Sequence, residues 1–105
     1  MESRALRRLR RKLTVEVLWL YIAKALLSSE PMKAYDIVKV LKDEVGLRVS
    51  TITVYSVVYR MAREGLLEVV KVGGENLYKL SERGRIEFEK AVKFLEHVMQ
   101  VLRSQ

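Results

Sequence analysis

A very short gap between two predicted helices is the strongest constraint on the fold of this chain. Helical spacing predicts one helix from about residue 33, with a buried face formed by Tyr35, Ile37, Val38, Leu41 and Val45. Gly46 is placed to end this helix in a left-handed cap, and Ser50 is a good N-cap for the next helix. Because only residues 47–49 separate them, the pair is typical of a helix-turn-helix motif.

The residues after Ser50 predict the second helix of this pair, which is the third helix of the chain, and then a β-hairpin. The core stripe of this helix consists of Val54, Val58 and Met61. Gly65 is placed to end it, and residues 66–72 and 77–80 are predicted strands on either side of a loop over residues 73–76. This order predicts a winged helix-turn-helix, whose third helix enters the major groove of DNA while the hairpin, or wing, lies beside it on the backbone.

Further helices are predicted at both ends of this domain. Leu6, Leu9, Leu13, Val17 and Leu20 recur at three- and four-residue steps. One helix is therefore expected to run from the basic start of the chain into the apolar segment 15–27. The last helix is predicted from its N-cap Ser81 to about Arg103, with an apolar face broader than one small domain needs. Part of that face is expected to pack on a second copy of the chain.

The two terminal helices supply the predicted homodimer interface. Its residues are Leu13, Val17, Leu20, Phe88, Val92, Leu95, Met99 and Leu102. The predicted fold class is mainly α with a small β-hairpin, a winged helix-turn-helix plus a long C-terminal dimerisation helix. We assign residues 1–12 to a basic N-terminal extension, 13–80 to the DNA-binding domain and 81–105 to the dimerisation helix, because 105 residues are enough for one core.

Positive charge is concentrated at the start of the chain. The net charge is +7, and +5 of it lies in residues 1–12, which favours a polyanionic partner such as nucleic acid. Three interpretations of this segment are open: an arm that grips phosphates, a solvated helix face, or an anchor on an anionic membrane. We predict phosphate contacts for Arg7, Arg8 and Arg11.

Several functional classes lack their residues in this sequence. There is no cysteine and only one histidine, His97, so neither a disulfide framework nor a His- or Cys-ligated metal site is expected. Glycine-rich phosphate loops and nucleophile elbows are also missing, which predicts a protein that is not an enzyme and needs no cofactor. The apolar run 13–27 is too short to span a bilayer, so we expect a cytoplasmic protein without a membrane partner. Few amide residues hint at a thermophilic source.

The third predicted helix carries the candidate DNA-reading residues. At 100° per residue, the face opposite its core stripe includes Ile52, Thr53, Ser56, Tyr59, Arg60 and Arg63. Arginine addresses guanine or phosphate, hydroxyls serve bases or phosphates, and Ile52 can meet a thymine methyl. Ser50 and Thr51 lie near a helix N-terminus that favours phosphate, and Lys71 and Lys79 flank the wing.

Other interpretations of these residues are weighed beside this one. An exposed helix face of this composition is often only solvated, and Glu75 at the wing tip would repel phosphates. The rival function is a winged-helix module that binds another protein without specific DNA binding. Trp19 and Tyr21 are most simply core residues. In a dimer that leaves a gap between its first and last helices, Trp19 with Phe88, Phe94 or Met99 is a candidate lining of a pocket for a small apolar effector.

Three segments resemble the PadR family of transcriptional regulators. They are residues 34–37, Ala-Tyr-Asp-Ile; residues 54–66, from Val54-Tyr55 to Glu64-Gly65-Leu66; and residues 78–85, Tyr-Lys-Leu-Ser-Glu-Arg-Gly-Arg. The resemblance covers about residues 13–89 and places Tyr35, Tyr55 and Tyr78 at tyrosine positions of the family. It departs at Ala34, where the family usually has Gly, and at Ser56, where it usually has Pro.

The length of the chain resembles the compact branch of that family, which has one C-terminal helix. The resemblance implies a homodimer built from the first and last helices of two subunits, and double-stranded DNA as the partner. It also implies a repressor that small aromatic or drug-like compounds release, although the identity of an effector does not transfer with a fold.

Overall fold

The computed structural model describes residues 1–105 and contains five α-helices and one hairpin. The helices are α1 (Arg4–Lys12), α2 (Leu18–Ser29), α3 (Ala34–Val40), α4 (Thr51–Arg63) and α5 (Glu82–Arg103), and the strands are β1 (Leu67–Val72) and β2 (Glu75–Leu80). A 3-10 turn at Val15–Val17 precedes α2, and a π-helical turn at Leu41–Val45 follows α3. The fold is the predicted one, a winged helix-turn-helix with a long C-terminal helix.

Helix α2 lies at the centre of the core. Its Leu18, Ile22 and Leu26 are at most 2% exposed, and it contacts α3, α4, β2 and α5. The predicted stripe of α4 is confirmed, since Val54, Val58 and Met61 are all buried against this cluster. The apolar helix near the start of the chain is thus covered mainly within its own subunit.

The prediction of one helix from the basic segment into the apolar segment is wrong. The chain leaves helical geometry at Leu13 and Thr14, where Thr14 has φ −123° and ψ −83°. The Thr14 hydroxyl donates a 2.7 Å hydrogen bond to the carbonyl of Arg10, and nearby Val15 and Val17 are also β-branched, so local competition and low propensity both disfavour a continuous helix. The Tyr21 hydroxyl donates to the Leu13 carbonyl at 2.7 Å and fixes the break.

The predicted buried face of α3 is only partly correct. Ile37 and Leu41 are buried, but Tyr35 is 57% exposed and Val45 is 40% exposed. Tyr35 is two residues before Ile37, and a separation of about 200° places it on a different face of the helix. Val45 lies in the π turn, where the α-helical repeat behind the prediction no longer applies, and Gly46 then ends this turn at φ +77°, as expected for a left-handed cap.

The wing turns more tightly than predicted. Only Gly73 and Gly74 connect the strands, and both have positive φ, as a two-residue type I′ turn requires. The second strand therefore begins at Glu75 rather than at residue 77. Met32 forms an isolated bridge with Tyr78 on the other edge of β2. The distance from the Met32 nitrogen to the Tyr78 oxygen is 2.9 Å, and that from the Tyr78 nitrogen to the Met32 oxygen is 2.7 Å.

The last helix begins where it was predicted and extends beyond the core. The Ser81 hydroxyl accepts a 3.0 Å hydrogen bond from the Gly84 N–H, which confirms the N-cap. Near it, the Glu30 carboxylate accepts bonds from the Leu80 N–H and from the Arg85 guanidinium, and so joins the loop after α2 to the start of α5. Towards the other end, Phe94 is 64% and Leu102 75% exposed. None of the helices combines the length and apolar composition needed to cross a membrane.

Candidate nucleic-acid interface

Helix α4 presents an uncovered outer face. Its exposed residues there are Ile52, Ser56, Tyr59, Arg60 and Arg63. Ile52 is 81% exposed, which is unusual for an isoleucine in a small domain, and Tyr59 is 49% exposed. The face therefore combines an apolar tip, a hydroxyl, an aromatic ring and two guanidinium groups, which matches the chemistry of base and phosphate contacts.

The hydroxyls at the start of α4 are partly used within the chain. The Ser50 hydroxyl accepts from the Thr53 N–H at 3.1 Å, which confirms its role as N-cap, and lies 2.8 Å from the Thr53 hydroxyl. Thr53 is half-buried and lines a groove together with Trp19, whereas Thr51 is exposed. DNA contact by these three residues stays a prediction.

Arg60 lies on the border between the outer face and a groove beside α4. This groove, the Trp19 groove, has a volume of about 620 Å³. Its lining consists of Val15, Glu16, Leu18, Trp19, Thr53, Val57, Arg60, Met61, Glu64, Leu66, Arg83 and Glu87. Phe94 is not among them, so one chain does not bring the two predicted pocket residues, Trp19 and Phe94, together.

The wing is less repulsive to DNA than its sequence suggests. The carboxylate of Glu75 lies 2.5 Å from the ammonium group of Lys33, beside the start of α3. Hydrogen bonding to Glu75 raises the pKa of Lys33 above its usual value, and the charge of Glu75 acts in the same direction. Lys71 is exposed near the wing tip, whereas Lys79 is half-buried with its ammonium 3.6 Å from the Glu68 carboxylate.

A basic groove beside the helix-turn-helix was missed in the sequence. The turn groove, as we name it, has a volume of about 800 Å³ and lies between α3 and the start of α4. It is lined by Tyr35, Val38, Lys39, Lys42, Asp43, Leu47, Arg48, Val49, Ser50 and Thr51. Helical spacing predicted Tyr35 as core. It did not relate Lys39 and Lys42 to Arg48, because the helical stretch ends between them at Gly46.

The basic extension forms the separate helix α1, in which no residue is buried. Arg10 pairs with Glu2 at 2.6 Å and Lys12 with Glu16 at 3.0 Å. The predicted phosphate contacts Arg7, Arg8 and Arg11 are exposed and form no ion pair within the chain. These three cations are therefore available to an external anion.

The predicted dimer residues cluster in an apolar groove. The α2–α5 groove, of about 340 Å³, is lined by Leu13, Val17, Leu20, Tyr21, Lys24, Phe88 and Leu95. Five of the eight predicted interface residues thus meet at one place. Val92 is half-buried on the same helix, while Met99 and Leu102 are exposed farther along α5. No group of three His, Cys, Asp or Glu side chains is arranged to hold a metal ion.

The order and packing of these elements define a winged helix-turn-helix protein. No protein-family profile and no curated protein sequence matches the chain. Solved structures match it over most of its length, and PadR-like transcriptional regulators recur among them. The structural resemblance to PadR-like regulators, expected from the sequence, is confirmed for the fold.

Three of these structures illustrate the similarity. A transcriptional regulator from Clostridium thermocellum has a TM-score of 0.71 and 15% identity, over 97% of this chain and 95% of that one. A PadR-family regulator from Eggerthella lenta has a TM-score of 0.64 and 21% identity, over 98% and 100%. PadR from Bacillus subtilis, in complex with operator DNA, has a TM-score of 0.61 and 18% identity, over 85% and 60%. The first two are transcriptional regulators, and the third is bound to operator DNA.

Proposed function

We propose that this protein is a cytoplasmic, sequence-specific regulator of transcription that binds double-stranded DNA as a homodimer. The observation that carries the proposal is the outer face of α4, where Ile52, Tyr59 and Arg60 are exposed and no other element covers them. The adjacent wing directs its acidic tip residue Glu75 to Lys33, which leaves Lys71 facing solvent. The operator complex of the structurally similar Bacillus subtilis PadR supports this proposal.

The apolar α2–α5 groove supports the homodimer. Its residues Leu13, Leu20 and Leu95 would be covered by a second copy, together with the exposed end of α5 at Met99 and Leu102. A two-fold dimer presents two copies of α4, so the operator should be pseudopalindromic with half-sites about one helical turn, roughly 34–36 Å, apart.

Binding to DNA across a salt series tests this function. The purified protein is titrated by anisotropy into a random duplex and into a fragment from upstream of its own gene. Tight binding that weakens steeply with salt and prefers the upstream fragment supports a specific regulator, because released counterions make phosphate contacts salt-dependent. Weak binding that is indifferent to salt and sequence contradicts it.

We further propose that the protein is a repressor, and that a small apolar or aromatic effector relieves this repression by binding in the Trp19 groove. The argument rests on Arg60 and Thr53, which line this groove and are also among the residues of α4 that we predict to contact DNA. An effector that engages Arg60 would withdraw it from DNA. Quenching of Trp19 fluorescence by a panel of aromatic compounds, with matching loss of operator binding, tests the idea; quenching without loss of DNA binding contradicts the coupling.

A protein-binding module is the second candidate, because an isoleucine that is 81% exposed and the nearby Tyr59 are also suited to a protein partner. In that case, Ile52→Ala would abolish capture of a partner while DNA binding by the parent protein would be absent or insensitive to salt. The salt series described above therefore separates the two candidates.

A further inference from the structure

The apolar repeat near the start of the chain continues through a point where the helix stops. Its members, at three- and four-residue steps, are Leu6, Leu9, Leu13, Val17 and Leu20. At 100° per residue, all five would lie on one face of a straight helix. In the structure, however, α1 ends at Lys12 and α2 begins at Leu18, so the repeat is divided between two helices.

Two side-chain hydroxyls occupy the backbone acceptors at this break. In a continuous helix, the Arg10 carbonyl would accept from the N–H of residue 14, and the Leu13 carbonyl from the N–H of residue 17. Instead, the Thr14 hydroxyl donates to the Arg10 carbonyl at 2.7 Å, and the Tyr21 hydroxyl donates to the Leu13 carbonyl at the same distance. The N–H groups of Thr14 and Val17 bond the carbonyls three residues before them, at 3.3 and 3.2 Å. The broken form therefore leaves none of these four backbone groups without a partner.

The disadvantage of the broken form is apolar exposure. Leu6 is 40% and Leu9 52% exposed, and no residue of α1 is buried. Leu13, the next member of the repeat, lines the α2–α5 groove together with Val17 and Leu20. In a straight helix, Leu6 and Leu9 would therefore extend this groove as one apolar strip. Since the groove is the proposed homodimer interface, a second copy is the surface that would cover the strip, and apolar burial would then favour the straight form.

We propose that residues 13–17 are a conformational switch, broken in the free subunit and part of one continuous helix from Arg4 to Ser29 when two copies associate. This inference rests on the proposed homodimer and adds a change of shape to it. Association selects the straight form because only that form offers the whole apolar strip to the partner. Helix α1 carries Arg7, Arg8 and Arg11, which form no ion pair within the chain, so the direction of these cations depends on association.

A pair of substitutions at Thr14 tests the switch. Thr14→Ala and Thr14→Gly both remove the hydroxyl and the β-branch, but glycine is the poorer helix former. If residue 14 is helical in the dimer, the alanine variant should have a dimer dissociation constant that is several-fold lower than that of the glycine variant. The difference should reach up to roughly 30-fold, because two chains straighten in each dimer. Analytical ultracentrifugation measures both constants, and equal values would overturn the proposal.

Ser28→Ala is the matched control. The Ser28 hydroxyl also donates to the carbonyl four residues before it, that of Lys24, at 3.2 Å, but within an unbroken part of α2. Losing this bond should leave the dissociation constant within about twofold of the parent value. A change as large as that of the Thr14 pair would show that the effect is not specific to the break, and would contradict the switch.

The second hydroxyl provides an independent variant. Tyr21→Phe keeps the ring in the α2–α5 groove and removes only the donor to the Leu13 carbonyl. Because both chains of the dimer lose a bond that favours the broken form, the dissociation constant should fall by roughly fivefold or more. An unchanged or weaker dimer would contradict the proposal.

The shape of the switch is measured directly by NMR. Thr14 is outside helical geometry in the single chain, at φ −123° and ψ −83°, so its ¹³Cα shift should be non-helical in Leu95→Asp, which places a carboxylate in the α2–α5 groove. In the dimeric parent, the shift should move to a helical value. The same non-helical shift in both proteins would overturn the switch.

The failure of the proposed homodimer has a different signature. A parent protein that stays monomeric at every concentration refutes the homodimer and the switch together. A dimeric parent in which the alanine and glycine variants at position 14 associate equally refutes the switch alone. Circular dichroism melts verify that each variant is folded before it is compared.

Discussion

The start of the last helix touches the chain just after α4: a methyl group on Gly84 would clash with the carbonyl oxygen of Leu66. The same carbonyl accepts a 3.0 Å hydrogen bond from the Ser81 N–H, and the Ser81 hydroxyl donates to the Gly65 carbonyl at 2.6 Å. Glycine at position 84 thus lets the start of α5 dock closely on the chain that follows α4.

Gly84→Ala should destabilise the protein. Alanine normally favours a helix by about 1 kcal/mol over glycine, but here its methyl group would push α5 away from the Leu66 backbone. We expect a net loss of about 1–3 kcal/mol, as for overpacked cores. Urea unfolding measures it, with Glu89→Ala on the exposed side of α5 as a control that should change stability by no more than about 0.5 kcal/mol. A variant as stable as the parent would contradict the close contact.

Arg60→Ala should weaken binding to the operator by roughly 1–3 kcal/mol while binding to random DNA changes little, if the guanidinium reads a base. Anisotropy titrations on the two duplexes measure the difference. Equal losses on specific and random DNA would refute a base-reading role and leave a phosphate contact.

Replacing Arg7 and Arg8 by Gln should weaken binding to every sequence alike. Both side chains are exposed on α1 and lack ion pairs, so each is expected to contribute one phosphate contact and about 0.9 to the salt slope. The natural comparison is Arg10→Gln, since Arg10 is already paired with Glu2. If the double variant keeps the parental slope, α1 is only a solvated helix.

Leu95→Asp should convert the proposed dimer into a monomer. Leu95 lines the apolar α2–α5 groove, and a carboxylate there would be desolvated by a second copy. Analytical ultracentrifugation should show the mass falling from twice the chain mass to the single-chain value of 12.2 kDa. Lys93→Asp changes charge on the exposed side of the same helix and should leave the dimer intact. A parent protein that is itself monomeric would refute the interface.

Stability should decline at alkaline pH because of Tyr78. Burial raises the pKa of Tyr78 above its usual value, with a smaller contribution from Tyr59, while a hydrogen bond with Asn76 acts in the opposite direction. The folded protein therefore holds the phenolic proton more tightly than the unfolded chain, so this contribution is complete below about pH 10 and is lost as the pH rises through the higher folded pKa. Melts of Tyr78→Phe should show a smaller alkaline decline, while Tyr35→Phe should match the parent.

Local features explain why much of the fold was predictable. Ser50 and Ser81 cap the first turns of α4 and α5, and Gly46 adopts the positive φ that ends the π turn after α3. Each depends on neighbours within a few residues, so the order of helices and wing follows from sequence spacing. The buried stripe of α4 was predictable for the same reason, because helical period alone places Val54, Val58 and Met61 on one side.

The errors occurred where local preferences were close to balanced. Thr14 interrupts a good helical repeat by a side-chain hydrogen bond, and Val45 lies in the π turn after α3, where the α-helical repeat no longer applies. In the wing, a two-residue turn and a four-residue loop were both consistent with the sequence, and pairing along the full hairpin selected the shorter one.

The sequence by itself determined the winged helix-turn-helix order, the helix caps and the excess of positive charge, because these depend on residue type and short-range spacing. Only the tertiary structure decided that Tyr35 joins Lys39, Lys42 and Arg48 in one groove, that Glu75 turns to Lys33, and that Trp19 and Arg60 line another groove. The physical reason is that these groupings join residues from different elements, and their proximity depends on how the helices pack against the core.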